Sequence, residues 1–376
     1  MDSRRINVVM IPVRLRFVVG ALFLLHPSSF ILHPFDVWGA AAEARIPPSD
    51  PRLMLFGRWD QRAADRAITV NTGSEIVVRF SGTRLTFFFD TSIYKHEKPT
   101  VAIRLDELGW EDREVAERME VATSGPATQD HVARLVARGF REWDNRWSPP
   151  LESALVFLGV APGPGGQVPA PPPRPRWQIE FLGDSITEGV LTMGRGPQSE
   201  WPRLSDGRRA YAFQTAELLN AAPFIVGFGR LGITVGGNGG VPRAIESFPF
   251  VYQDVPKERL QPVAVVIALG ANDAKARADP FLADYLDYVA AVREAYPVAH
   301  IFCMRPFGGT HAKEILAAVE RLEATDDKKV HYVDTSGWID PKTDTTDGLH
   351  PNIEGHRGVA EKLAVVIQQV LSERTR

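Results

Sequence analysis

Trp177-Gln-Ile-Glu-Phe-Leu-Gly-Asp184-Ser185-Ile-Thr-Glu-Gly189 is the stretch from which the rest of the chain can be read. Its first residues pattern as a strand, Gly183 and Asp184 mark a turn, and the polar residues that follow suit the first turn of a helix. Ser185 therefore lies where a strand hands over to a helix. A hydroxyl at that bend projects from the strand's carboxyl end, and the N–H groups of the next turn point at whatever it attacks.

Downstream of this junction strands and helices alternate, the pattern of a parallel sheet covered on both faces. A helix is expected over 208–219, then strands over 223–228 and 263–269. Asp279-Pro280 has the form of a helix start, and Phe281, Leu282, Tyr285, Leu286, Val289 and Val292 make one apolar stripe. A strand follows at 300–304, then a helix with Ile315, Leu316, Val319 and Leu322 on one side. A strand over 329–334 and a last helix turning Val359, Leu363, Val366, Ile367 and Val370 inward complete the series. In such sheets, sites form beyond the carboxyl ends of the strands.

Three segments stand in those positions: Phe224-Ile-Val-Gly-Phe-Gly-Arg-Leu-Gly232, Gly270-Ala-Asn272-Asp273 and Asp347-Gly-Leu-His350-Pro351. Together with Gly183-Asp184-Ser185-Ile186-Thr187 they resemble the blocks of the GDSL, or SGNH, hydrolases, a family named for Ser, Gly, Asn and His. The blocks come in family order and cover roughly the second half of the chain. The resemblance implies an α/β, flavodoxin-like doubly wound fold over 177–376. Ester attack needs a serine activated by a neighbouring base, which assigns Ser185 as nucleophile and His350 as base. Asp347 is placed to hold the imidazole, with Asp344 and Asp334 as fallback partners. The oxyanion would be met by the Ser185 N–H, the Gly232 N–H and the Asn272 amide; Gly229 is the alternative to Gly232.

Upstream, residues 45–160 read as β-rich. The runs Glu75-Ile-Val-Val-Arg-Phe80 and Arg84-Leu-Thr-Phe-Phe-Phe89 are separated by Ser81-Gly82-Thr83, which is hairpin spacing. Thr100 to Leu105, His131 to Val136 and Leu155 to Leu158 add short strands, so a smaller, jelly-roll-like β-sandwich is expected. Residues 161–176, rich in proline and glycine, mark the boundary between the two domains. Within the first 44 residues, Arg4, Arg5, Arg14 and Arg16 precede the apolar run Phe17 to Leu25, and Ala42-Glu43-Ala44 offers a cleavage site. This is the form of a secretory signal, with a retained anchor as the alternative, so an exported protein is expected.

The whole layout resembles the second family of carbohydrate esterases, which removes acetyl groups from plant polysaccharides such as xylan and mannan. In the first half the likeness rests on Phe56-Gly-Arg-Trp59-Asp60 and Ser81-Gly82-Thr83. It implies a serine esterase acting on an acetylated carbohydrate, with neither metal nor nucleotide cofactor. A lipolytic or acyl-transferring enzyme and a non-catalytic glycan-binding protein are the alternatives.

Several features have plainer readings. A net charge of −3 gives no sign of a nucleic-acid or anionic-membrane surface. The single cysteine, Cys303, excludes an intrachain disulfide and reads as a buried strand residue. Trp59, Trp110, Trp143 and Trp147 are possible sugar platforms, with core packing the favoured reading of each; Trp338 is read either as pocket lining or as packing. Asp184 reads as a loop-pinning residue, the Gly236–Gly240 run as a flexible rim without the lysine of a phosphate loop, and His356 as a core histidine.

Overall fold

The structure, a computed structural model, describes residues 45–325 and 327–372. The leader expected over 1–44 lies outside the described residues. Nine strands come first: β1 (Leu53–Phe56), β2 (Ala67–Thr69), β3 (Glu75–Ser81), β4 (Arg84–Phe89), β5 (Thr100–Leu105), β6 (Glu111–Glu114), β7 (Arg118–Ala122), β8 (Asp130–Gly139) and β9 (Leu155–Pro162). They form two antiparallel sheets, ordered β1-β3-β8-β5-β6 and β2-β9-β4-β7. Ile76, Val78, Phe80, Leu85, Phe87, Phe89, Leu135 and Phe157 fill the space between them.

The hairpin expected across Ser81-Gly82-Thr83 does not form. β3 pairs with β1 and β8, whereas β4 pairs with β7 and β9 in the opposite sheet. Both runs bury side chains on both faces, a pattern that marks strands inside a sandwich and says nothing of which neighbour they take. The charged β6 and the short alternating β7, whose outward residues are Arg118, Glu120 and Ala122, carry too little apolar pattern to be read beforehand.

The second half builds on a five-stranded parallel sheet of β10 (Trp177–Gly183), β11 (Ala221–Gly227), β14 (Ala264–Ala268), β15 (His300–Met304) and β16 (Val330–Val333), ordered β11-β10-β14-β15-β16. A small hairpin, β12 (Phe250–Tyr252) and β13 (Val255–Pro256), stands apart from it. Of the helices, α1 (Ser185–Glu188), α2 (Trp201–Leu204) and α4 (Ala244–Ser247) are single turns; α3 (Tyr211–Leu218), α5 (Ala278–Ala295), α6 (Ala312–Ala324) and α7 (Ile353–Ser372) are longer. Phe213 and Ala216 of α3 pack with Val359, Leu363 and Ile367 of α7 in one apolar cluster. Phe281, Tyr285, Val289 and Val292 of α5 pack with Ile315 and Val319 of α6 in the other. This is the doubly wound arrangement expected. Leu316 departs from its expected stripe and points outward, 38% exposed, with Ala318 taking the inner position.

The described residues form one compact unit. Met54, Phe56 and Val77 of the sandwich share a core with Ala222, Phe224 and Val226 of β11. Across the same boundary Arg58 donates to Glu180 of β10 at 2.8 Å, and both side chains are buried. Burial by itself would raise the Glu180 carboxyl; Arg58 and Lys257 hold it below the usual range. Arg58 also donates to the carbonyls of Phe248 and Phe250, each at 2.8 Å. Its neighbour Trp59 lies inside the sandwich, so the Phe56–Asp60 segment serves both domains.

Candidate active site

Gly183 ends β10 beside Gly227 on one side and Ala268 on the other, so Ser185, the Gly227–Gly240 loop and the loop after β14 all begin at one end of the sheet. Gly183 is required by its surroundings: a Cβ there would lie 1.9 Å from Thr187 Oγ1. Asp184 caps α1, its Oδ1 accepting the Ile186 N–H at 3.0 Å. Ser185 is thereby fixed as the first residue of α1, where the backbone N–H has no partner within the helix.

Ser185 Oγ lies 3.0 Å from His350 Nε2, and His350 Nδ1 lies 2.8 Å from Asp347 Oδ2. Asp347 Oδ1 also accepts the backbone N–H groups of Leu349 (3.0 Å) and His350 (2.8 Å). Burial raises the Asp347 carboxyl, but the N–H groups and imidazole of His350 outweigh it and hold the group below the usual range. The fallback acids are engaged elsewhere: Asp334 accepts from Ser336, and Asp344 from the Asp340 and Thr343 groups. Ser185 and His350 are largely buried, 8% and 9% exposed.

The Asn272 amide donates to Asp184 Oδ2 at 3.1 Å and to the Leu231 carbonyl at 3.0 Å, which places it between the serine turn and the glycine loop. The Gly232 N–H is donated to the Val235 carbonyl at 3.0 Å within its own turn. Gly229 is committed more deeply, its N–H going to the buried Glu188 carboxylate at 2.8 Å. Of the two glycines, Gly232 is the one whose N–H can change partner without uncovering a buried charge.

Three site-supporting groups escaped the sequence reading. Asp273, the residue after Asn272, accepts the N–H groups of Ile233 (3.0 Å) and Thr234 (2.7 Å) and so shapes the Gly232 turn. Glu188, inside the opening motif, and Arg146, on the turn after β8, form a buried ion pair under Gly229. Glu188 sits at helical spacing from Ser185 and was legible in principle; Arg146 carried no signal. Burial pushes Asp184 up to about 7, with nearby Asp273 and Glu188 adding to the effect and backbone N–H bonds opposing it.

The remaining candidates divide. Trp59 and Trp147 are buried, and Trp110 is stacked under Arg104, Arg134 and Arg208. Trp143 is 43% exposed and faces Trp201. Trp338 packs against the α3–α7 cluster. Asn238, in the run read as a flexible rim, is buried and donates to Glu142 at 2.9 Å. His356 is buried, accepts the Tyr211 N–H at 3.1 Å and is held down to about 3 by burial. Cys303 is buried in β15. Among the described residues no group of three His, Cys, Asp or Glu side chains could hold a metal ion, and no helix is long and apolar enough to cross a membrane. A cavity of about 870 Å³ lined by Phe248, Lys257, Leu260 and Tyr296 also reaches Pro262 and Val298, which precede β14 and β15. It therefore lies at the opposite end of the sheet from Ser185.

Comparison with known proteins agrees with this layout. Residues 181–357 match the GDSL-like Lipase/Acylhydrolase family. The chain is 33% identical over 233 residues to the cellulase/esterase CelE of Acetivibrio thermocellus, a match covering 58% of this chain and 28% of that protein's length. It is 24% identical over 353 residues to an acetylxylan esterase/glucomannan deacetylase of Cellvibrio japonicus, covering 87% and 91% of the two chains. A family two carbohydrate esterase from Clostridium thermocellum, solved with cellohexaose, superposes with a TM-score of 0.71 at 25% identity, covering 85% of this chain and 99% of that one. Residues 181–357 are thus a GDSL-like lipase/acylhydrolase domain, of the carboxylic ester hydrolase class, and the chain that carries it has the fold of the family two carbohydrate esterases.

Proposed function

We propose that this protein is an exported serine esterase that removes O-acetyl groups from a polysaccharide of the xylan or mannan class. The observation that carries the reading is the hydrogen-bonded line from Ser185 through His350 to Asp347. The substrate class rests on the acetylxylan esterase/glucomannan deacetylase and on the cellohexaose complex of relatives that match along most of this chain. Export rests on the basic and apolar pattern of the first 44 residues.

In this reading His350 Nε2 takes the proton of Ser185 Oγ as the oxygen attacks the acetyl carbonyl carbon. The negative oxygen is met by the Ser185 N–H, with one Asn272 amide hydrogen turning from Asp184 or Leu231 and the Gly232 N–H turning from Val235 to join it. His350 then gives its proton to the leaving sugar hydroxyl, and the acetyl group stays on Ser185. A water, activated by the same imidazole, releases acetate. Asp347 keeps the imidazole in the tautomer with its proton on Nδ1 and stabilises it when both nitrogens are protonated.

The test is acetate release from acetylated xylan, acetylated mannan and a short-chain aryl acetate by the protein from Arg45 onward, beside Ser185→Ala. Acetate from the first and at least 10³-fold less from the second is the expected result. Release from the aryl acetate alone would remove the polysaccharide assignment, and no release from any of the three would remove the deacetylase reading.

A further inference from the structure

The Gly227–Gly240 loop is gripped from beneath by a cluster that both domains build. Glu142 and Arg146 come from the turn after β8, and Glu188 from α1; their exposures are 3%, 0% and 1%. The Arg146 guanidinium bonds both oxygens of Glu188. Glu188 Oε2 accepts the Gly229 N–H at 2.8 Å, and Glu142 Oε2 accepts the Asn238 amide at 2.9 Å. The Asn238 N–H goes to the Gly229 carbonyl at 2.7 Å, and the Arg146 N–H to the Gly239 carbonyl at 3.1 Å. Gly229 fits this floor only because it lacks a side chain, since a Cβ there would lie 2.2 Å from Glu142 Oε1.

The charges in this cluster do not balance if both glutamates are ionised. Arg146 is the cation bonded to Glu188; Asp144, on the same turn, is paired with Arg141 at 2.9 Å, and Arg230, on the loop, is exposed. Asp184 at the start of α1 and Asp273 under Gly232 add further acidity on the other side. One guanidinium shared by two buried carboxylates would leave an uncompensated charge, which a dry interior strongly disfavours. Burial first, and the neighbouring Glu188 charge second, push the Glu142 carboxyl well above its usual range.

We propose that Glu142 is a positioning residue of the active site: its Oε2 takes the Asn238 amide, and its Oε1, buried with no other hydrogen-bond partner among the described residues, shares a proton with the Glu188 carboxylate that it meets at Gly229, and so holds the Gly227–Gly240 loop. The inference rests on the ester-hydrolase reading in that it takes Gly232, carried on this loop, as an oxyanion donor. When the pair loses its proton at alkaline pH, two facing carboxylates repel and the loop loosens. The first domain thus tunes the chemistry of the second without touching substrate.

The test uses the chain from Arg45 onward as wild type, Glu142→Gln and Glu142→Ala. Hydrolysis of an aryl acetate is followed from pH 6 to 10, together with hydrogen exchange of the amides of residues 228–240. Glutamine can donate to Glu188 and accept from Asn238, so Glu142→Gln should keep kcat within about 3-fold at pH 7 and lose the alkaline fall. Glu142→Ala should lower kcat by about 10- to 100-fold with little change in KM, the scale of loss expected from a sub-ångström to 1 Å misplacement. In the wild type, but not in Glu142→Gln, loop amides should exchange faster at alkaline pH than the chemistry of exchange alone requires. A folded Glu142→Ala with wild-type kcat and loop protection overturns the proposal. So does a Glu142→Gln whose alkaline limb and exchange match the wild type. If the alanine variant does not fold, the glutamine variant decides alone. If the wild type hydrolyses no ester, the functional reading fails, and the exchange comparison still decides whether the clamp exists.

Discussion

The loop that presents His350 and the loop that presents Gly232 are supported over very different spans of chain. Asp347 binds the His350 and Leu349 N–H groups within three residues, and Asn352 ties back to the Thr343 carbonyl nine residues away. The Gly227–Gly240 loop depends instead on Glu142, 96 residues from its partner Asn238, and on Glu188, 41 residues from Gly229. The first is a local device that its own sequence folds. The second is supported from both halves, by Glu188 and Asp273 on its own side and by Glu142 and Arg146 from the sandwich, so part of the candidate site is held by the region that carries none of the reacting groups.

The largest expected effect falls on the local half. Asp347→Asn leaves the loop turn in place but offers the imidazole an amide, and kcat for an aryl acetate should fall by about 10³- to 10⁴-fold with an unchanged thermal midpoint. The distant half should fail the other way. Arg146→Met removes the cation from a buried carboxylate, and denaturant unfolding should show a loss of about 3–5 kcal/mol. Equal stability in the two variants would erase the distinction between the supports.

pH sharpens the contrast. Asp184, raised to about 7, holds a proton when folded that the unfolded chain releases above about 4. Its contribution to stability is therefore lost as pH rises from about 4 through 7, and Asp184→Asn should flatten that limb of the thermal midpoint. His356, depressed to about 3, behaves oppositely: the unfolded chain takes up a proton below about 6.5 that the folded one refuses, so stability falls as pH drops from there toward 3. His356→Gln should remove part of the acid limb. The smallest effect is expected at Leu316, which faces outward; Leu316→Lys should change stability by less than about 0.5 kcal/mol.

What the sequence revealed follows the same division. The parallel sheet, its long helices and the positions of Ser185, Asn272 and His350 were legible because each depends on local periodicity or on a short motif after a strand. Asp347 followed from its spacing to His350, whereas Gly232 was taken from the family resemblance, with Gly229 as its alternative. The pairing of β3 and β4 was not legible, because the apolar content that buries a strand does not name its neighbour. Nor were Glu142 and Arg146: in sequence they are two charged residues in an ordinary turn, and only the docking of two domains makes them interior. The same holds for Asn238, whose glycine-rich surroundings suggested freedom where the fold supplies four fixed bonds to the run and its neighbours.

Arg58 and Glu180 carry a consequence for inheritance. Glu180 stands in the middle of β10, an interior strand of the parallel sheet, and its partner comes from before the proline-rich segment 161–176. A gene cut at that segment would yield a hydrolase half whose buried Glu180 keeps only the more distant Lys257, at 3.9 Å, as its cation and whose β11 has its apolar face open to water. The two halves are thus poor candidates for independent shuffling, and any exchange of modules that preserves this enzyme must move the pair as a single cassette.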